Sequence, residues 1–126
     1  MSNIATTIEQ SKHLLELGLD PKTADMCFEM YKGNWTLNVG KKSAQVNRGL
    51  AIPAWSVDAM QKLLPSRIII DNRYYDFDWT KTEKTYIYVY ANSLEYRHEV
   101  TANENSNAAY VMLCWLLENN FIGKSK

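Results

Sequence analysis

The strict alternation of side chains between Tyr86 and Ala91 restricts the fold of this chain more than any other feature. Tyr86, Tyr88 and Tyr90 occupy every second position, and the residues between them are aliphatic. Successive side chains of an extended strand point to opposite faces. The pattern therefore predicts a β-strand over 85–91, with one tyrosine face and one aliphatic face.

Three further segments have strand-like composition and lie close to this strand in sequence. They are residues 68–70, 74–79 and 94–100. Short connections join antiparallel neighbours, so the sequence predicts a three- to four-stranded antiparallel meander. The segment from about Ala108 to Asn119 is apolar almost all round. A helix of that composition is buried on most sides, and we expect it to pack on the sheet.

Helix signals dominate the first half of the chain. Two alternative capping boxes open a first helix, which Gly18 ends. The boxes pair Thr6 with Glu9 and Thr7 with Gln10. A further helix is predicted from the N-cap Ser56 to the residue before Pro65.

The region between these helices is less regular. Asp20-Pro21 is typical of a helix start and predicts a short second helix from Thr23 to about Met30. The alternation over Trp35–Val39 predicts a short strand. Because helix signals are grouped apart from strand signals, we expect an α+β fold: N-terminal helices, the meander and a buried C-terminal helix. The length of 126 residues fits one domain over 1–126.

Charge and cysteine content narrow the class of protein. Lys plus Arg equals Asp plus Glu, at 14 each, which argues against a chain whose main role is to coat nucleic acid or an anionic membrane. Cys27 and Cys114 lie in apolar surroundings without a CxxC motif, so we expect reduced, buried thiols. No signal peptide or bilayer-length apolar stretch is evident, which favours a cytoplasmic protein without membrane association.

No motif for catalysis, metal binding or cofactor binding occurs in the sequence. His13 and His98 lie on different elements, and neither is matched with a nucleophile. Asp76 and Asp78 share one face of a strand, where they would suit a hard cation or simply form a solvated face. An enzyme would need a pocket around Asp76, Asp78 or His98, and we predict no catalytic residue, metal or cofactor.

The tyrosine row of Tyr86, Tyr88 and Tyr90 has two interpretations. If the aliphatic side of the strand packs on the last helix, the row points outward as a partner-binding surface. Alternatively, residues 31–54 cover the row. One sequence cannot decide which face of the sheet is inner.

A basic segment between Met30 and Val57 is an alternative candidate site, for nucleic acid. No acidic residue occurs between Met30 and Val57, and the segment carries aromatic residues as well. Its candidate residues are Lys32, Trp35, Lys41, Lys42 and Arg48. Basic side chains interleaved with aromatic ones bind single-stranded nucleic acid by charge neutralisation and stacking. A solvated loop anchored by its tryptophans has the same composition.

Three stretches carry a family resemblance: residues 8–27, 52–65 and 107–118. Together they resemble small uncharacterised proteins of gut Bacteroides-type bacteria, their phages and their mobile elements. The resemblance implies intracellular expression and a phage or mobile-element origin, and it implies no activity.

Three functions remain, in descending order of support. The first is a non-enzymatic interaction module that binds a protein partner or itself. The second is a single-stranded nucleic-acid-binding accessory protein, and the third is a small enzyme with an unrecognised site.

Overall fold

The computed structural model describes residues 4–39 and 51–123, which form three α-helices and two antiparallel sheets. The helices are α1 (Ile8–Glu16), α2 (Val57–Leu63) and α3 (Asn105–Glu118), and a 3-10 turn spans Pro21–Thr23. The strands are β1 (Met26–Tyr31), β2 (Asn34–Val39), β3 (Ala51–Ala54), β4 (Arg67–Ile70), β5 (Arg73–Lys81), β6 (Tyr86–Ala91) and β7 (Tyr96–Ala102). These elements confirm the predicted α+β class.

The predicted meander is confirmed as a four-stranded sheet in the order β4-β5-β6-β7. All three strand pairs are antiparallel. The turn between β4 and β5 places Asp71 and Asn72 at φ values of 52° and 67°, the conformation that a two-residue hairpin turn requires at both positions. Between β6 and β7, the Asn92 side chain accepts hydrogen bonds from the backbone N–H groups of Leu94 and Glu95.

Helix α3 packs on this sheet against β6 and β7, as the all-round apolar sequence predicted. Its side chains Met112, Leu113, Leu116 and Leu117 are fully buried. The helix begins three residues before the predicted start, after the N-cap Glu104, whose side chain makes no capping hydrogen bond. The helix therefore depends on packing rather than on a capping side chain at its N-terminus.

The caps of α1 and α2 form as predicted. Of the two boxes offered for α1, the structure uses Thr7 with Gln10. Thr6 does not cap the helix, because its hydroxyl accepts a hydrogen bond from the backbone N–H of Trp55 at 3.1 Å and forms another with the Ser11 hydroxyl. Helix α2 starts at the N-cap Ser56, whose hydroxyl accepts from the Ala59 N–H at 3.0 Å.

The predicted second helix is wrong: residues 26–31 form strand β1. Asp20 and Pro21 do start a helical turn, but it ends at Thr23 because Ala24 is extended. The residues that follow alternate between two faces and pair with β2 through a tight turn at Lys32-Gly33. A pairing partner satisfies a whole row of backbone groups, which outweighs the weak helical preference of this segment.

Strands β1, β2 and β3 form a second, three-stranded sheet in the order β2-β1-β3. Strand β2 confirms the strand predicted at 35–39, whereas β3 was not predicted. Pro53 lies in β3, and proline is accepted there because β3 is an edge strand in which one row of backbone groups need not pair.

Two cores of different size lie in the described part of the chain. The main core joins the four-stranded sheet to all three helices and includes Trp55, which is fully buried. The smaller one, under the three-stranded sheet, consists of Ala5, Met26 and Ala54. Cys27 and Cys114 are both free and buried, as expected. Within residues 4–39 and 51–123, no helix has the length and apolarity needed to cross a membrane.

Candidate functional site

The tyrosine row belongs to the main core and not to an exposed partner surface. Tyr88 and Tyr90 are fully buried and Tyr86 is partly buried. Tyr90 packs towards Trp115 of α3, with 6.2 Å between the ring centroids. The prediction that the row binds a partner is therefore wrong at Tyr88 and Tyr90, because α3 covers the tyrosine face of β6 and leaves the aliphatic face outside.

Polar groups at the rim of the core hold both buried phenols. The Tyr88 hydroxyl accepts from Gln61 Nε2 at 2.7 Å and donates to Asn105 Oδ1 at 2.5 Å. The Tyr90 hydroxyl donates to the carbonyl of Pro65 at 2.7 Å. Burial raises the pKa of both hydroxyls above the ordinary tyrosine value, so both remain neutral donors.

His98 does not have the geometry of a catalytic base. Its ring lies flat on the Trp115 ring, with 4.1 Å between centroids and 4° between planes. Partial burial lowers the pKa of His98, and the charge of Arg97 lowers it further. Stacking on an indole orients the ring without supplying the hydrogen-bond partner that proton transfer needs.

The sheet separates His98 from the two aspartates. His98 pairs with Tyr90 on the inner face, whereas Asp76 and Asp78 pair with Ala91 and Val89 on the outer face. His98 therefore cannot share a pocket with Asp76 or Asp78. Asp76 binds the Arg67 guanidinium, with 2.6 Å between Nε and Oδ1, and this contact lowers the pKa of Asp76.

A cation site also lacks a ligand set in the described part of the chain. Within residues 4–39 and 51–123, no group of three or more His, Cys, Asp or Glu side chains could hold a metal ion. One oxygen of Asp78 accepts from the backbone N–H of Trp79 at 2.9 Å.

The basic segment is only partly described. Lys41, Lys42 and Arg48 lie outside the described residues. Lys32 and Trp35 lie at the β1–β2 hairpin, where Met30 pairs with Trp35 and Tyr31 pairs with Asn34. Tyr31 and Trp35 therefore point to opposite faces of the hairpin. The Lys32 ammonium lies 5.4 Å from the centroid of the Tyr31 ring, away from Trp35.

Trp35 belongs instead to an apolar face of the three-stranded sheet. Pairing aligns alternate residues of the three strands on this face: Met26, Phe28 and Met30 of β1, Trp35, Leu37 and Val39 of β2, and Ile52 and Ala54 of β3. We refer to these eight residues as the apolar face. None of them carries an ionisable group.

Exposure of the apolar face rises towards β2 and the hairpin turn. At the β3 side, Met26 and Ala54 are buried in the smaller core. Towards β2 and the turn, the exposed fractions are 52% for Met30, 41% for Trp35 and 87% for Val39. These exposed apolar side chains make this end of the apolar face a candidate interaction surface.

Sequence reasoning missed this face, although the signal was present. Met26, Phe28 and Met30 alternate with more polar residues, as do Trp35, Leu37 and Val39. Lys32-Gly33 are the two residues between segments 26–31 and 34–39, which is a hairpin spacing. Because Asp20-Pro21 is typical of a helix start, the residues that follow were predicted to be helical, whereas their side chains alternate with the period of a strand.

Comparison with known proteins assigns no family to this fold and surface. No protein-family model matches the chain, and neither a curated protein nor a solved structure matches it.

Proposed function

We propose that the protein is a non-enzymatic interaction module that associates with a second copy of itself through the apolar face. The observation that carries this proposal is the row of half-exposed and exposed apolar side chains on β1 and β2, including Met30, Trp35 and Val39. Removing such side chains from water is the main favourable contribution to protein association.

Charge favours a second copy as the occupant. A two-fold interface brings the same patch of both copies together, so any charged residue in the patch faces its own like charge. The apolar face carries no ionisable side chain, and the formal net charge of the whole chain is zero. Neither local nor long-range repulsion therefore opposes pairing of two copies.

The size of the face sets the expected affinity. Strand spacing and rise give the exposed part of the face, on the six-residue strands β1 and β2, a footprint of roughly 10 Å by 20 Å. Such a footprint belongs with small interfaces, which support weak or transient association. We therefore expect the monomer and the dimer to exchange at micromolar concentrations.

Sedimentation velocity over a range of about 5–500 μM protein tests the proposal, because this range brackets micromolar dissociation constants. We expect the weight-average mass to rise from one chain mass to two. In Met30→Lys, two like charges would meet across the two-fold axis, and the dimer should be lost.

Ile69→Lys is the matched control, because Ile69 is a strand residue of similar exposure (58%) on the other sheet. It should dimerise like the unmodified protein. A single chain mass at all concentrations, or equal loss in both variants, would refute self-association through this face. Circular dichroism of each variant confirms that it is folded.

Nucleic-acid binding has less support from the described residues. Tyr31 and Trp35 point to opposite faces of their hairpin, so they do not form one stacking platform. Lys41, Lys42 and Arg48 lie outside the described residues, and their part in binding stays a prediction. A filter-binding assay with single-stranded DNA at low salt checks it.

The cellular setting is also part of the proposal. Two free, buried cysteines suit the reducing cytoplasm, and burial raises the pKa of Cys114 to about 11, which keeps it a neutral, unreactive thiol. The resemblance to small proteins of Bacteroides-type bacteria and their phages stays a prediction.

A further inference from the structure

The outer face of the four-stranded sheet forms a second surface with different chemistry. Across β5, β6 and β7, pairing produces one row of Asp78, Val89 and Glu99 and a neighbouring row of Thr80, Ile87 and Thr101. Ile87 and Val89 are half-buried, whereas the two carboxylates beside them are exposed. A shallow groove follows these side chains and reaches Tyr96. We call this surface the acidic groove.

The two carboxylates flank an aliphatic floor. Asp78 and Glu99 lie on either side of Val89, so their Cα atoms are separated by two strand spacings, about 10 Å. Among the residues that the structure describes, neither carboxylate forms an ion pair. By contrast, Asp76 on the same face is paired with Arg67.

From this arrangement we infer that the acidic groove binds an arginine-bearing segment of a partner protein. An arginine side chain has an aliphatic stem, which suits Ile87 and Val89, and a guanidinium head, which suits a carboxylate on either side. Tyr96, whose side chain is 71% exposed, adds an aromatic ring at the end of the groove. Guanidinium groups also stack on such rings.

Charge disfavours the other main occupants of the groove. A second copy of this chain on the groove would bring Asp78 and Glu99 of both copies together, and like charges in contact oppose binding. Nucleic acid and anionic lipid carry the same sign of charge as the groove. Binding here is independent of self-association, because the acidic groove and the apolar face lie on different sheets.

Fluorescence anisotropy with a defined probe tests the inference. The probe is a labelled peptide of three Arg-Val repeats, and its control is the same peptide with citrulline in place of arginine. At about 50 mM salt we expect saturable binding of the arginine peptide, and at least fivefold weaker binding at about 300 mM salt because exposed ion pairs are screened. The citrulline peptide should not bind.

A matched pair of variants locates the site. Asp78→Asn/Glu99→Gln removes two charges from the groove, and we expect about tenfold weaker binding. Asp58→Asn/Glu9→Gln removes two exposed charges from helices α2 and α1, and it should change binding less than twofold. Equal loss in both variants, or no binding at low salt, would overturn the inference.

Amide chemical shifts provide a readout that does not need a variant. The arginine peptide should shift the resonances of Ile87, Val89 and Tyr96 and leave those of β1 and β2 unchanged. Shifts confined to other parts of the chain would also overturn the assignment of the groove.

Discussion

At the scale of single residues, polar groups at the tips of long side chains decide which face of the sheet is inner. The Tyr88 ring is buried in the core, and its hydroxyl forms hydrogen bonds with Gln61 on α2 and Asn105 on α3. A buried hydroxyl with two partners satisfies its hydrogen-bonding capacity. The row therefore enters the core without the cost of an unsatisfied polar group.

Removing the Tyr88 hydroxyl should destabilise the fold without emptying the core. We expect Tyr88→Phe to lower the free energy of unfolding by about 1–2 kcal/mol, since it removes two hydrogen bonds at the rim of the core. Urea denaturation measures this change.

Tyr86→Phe is the control for that experiment. Among the described residues, the Tyr86 hydroxyl makes no hydrogen bond, and the Tyr86 ring faces the Lys81 ammonium. Tyr86→Phe should change stability by less than about 0.5 kcal/mol. A change of less than about 0.5 kcal/mol in both variants would show that the hydroxyl contacts of Tyr88 contribute little to stability.

At the scale of elements, the β1–β2 hairpin shows why local helix signals failed between residues 23 and 30. The turn requires positive φ at both Lys32 (49°) and Gly33 (83°), which glycine adopts freely and lysine does not. Such a turn sets the register that pairs Met30 with Trp35 and aligns the apolar face. A two-residue connection thus determines a surface that extends over three strands.

Substitutions in this turn should shift stability in opposite directions. Lys32→Asn should stabilise the fold by about 0.5 kcal/mol, because asparagine tolerates positive φ better than lysine does. Gly33→Ala should destabilise it by about 1 kcal/mol, although an added Cβ would meet no atom within 4 Å. Thermal unfolding of both variants checks the signs. A loss of stability in Lys32→Asn would contradict this account of the turn.

At the scale of the whole molecule, the two cores differ in how much they bury. Among the described residues, the main core encloses Trp55, Tyr88, Tyr90 and one side of α3, whereas the core under the three-stranded sheet has three buried members. Stability is distributed in proportion to such burial. The hairpin end of the three-stranded sheet is therefore the part of the described chain that should open first.

Native-state hydrogen exchange tests this distribution. At low protein concentration, where the monomer dominates, amides of β6 and α3 should exchange only through global unfolding. Amides near Met30 and Trp35 should exchange through a local opening. Because this opening exposes little surface, its free energy should depend only weakly on urea concentration. Uniform protection across both sheets would show instead that the molecule opens as one unit.

The sequence by itself determined the features that depend on neighbours along the chain. The alternation of β6, the cap at Ser56, the stop at Gly18 and the all-round apolar α3 are local patterns, and each appears in the structure at or near its predicted position. Hydrogen-bond geometry and side-chain period act over a few residues, so one sequence is enough to read them.

Only the tertiary structure decided which surfaces face solvent. Both faces of β6 are apolar, so its alternation is equally compatible with the tyrosines inside or outside. The choice depends on α2 and α3, whose Gln61 and Asn105 supply partners for the Tyr88 hydroxyl across the core. Residues 26–31 likewise form a strand instead of the predicted helix because they pair with β2 and β3. The alternation of β1 and β2 is a local pattern, but which of their faces is exposed and which strands lie beside them depend on contacts between segments distant in sequence.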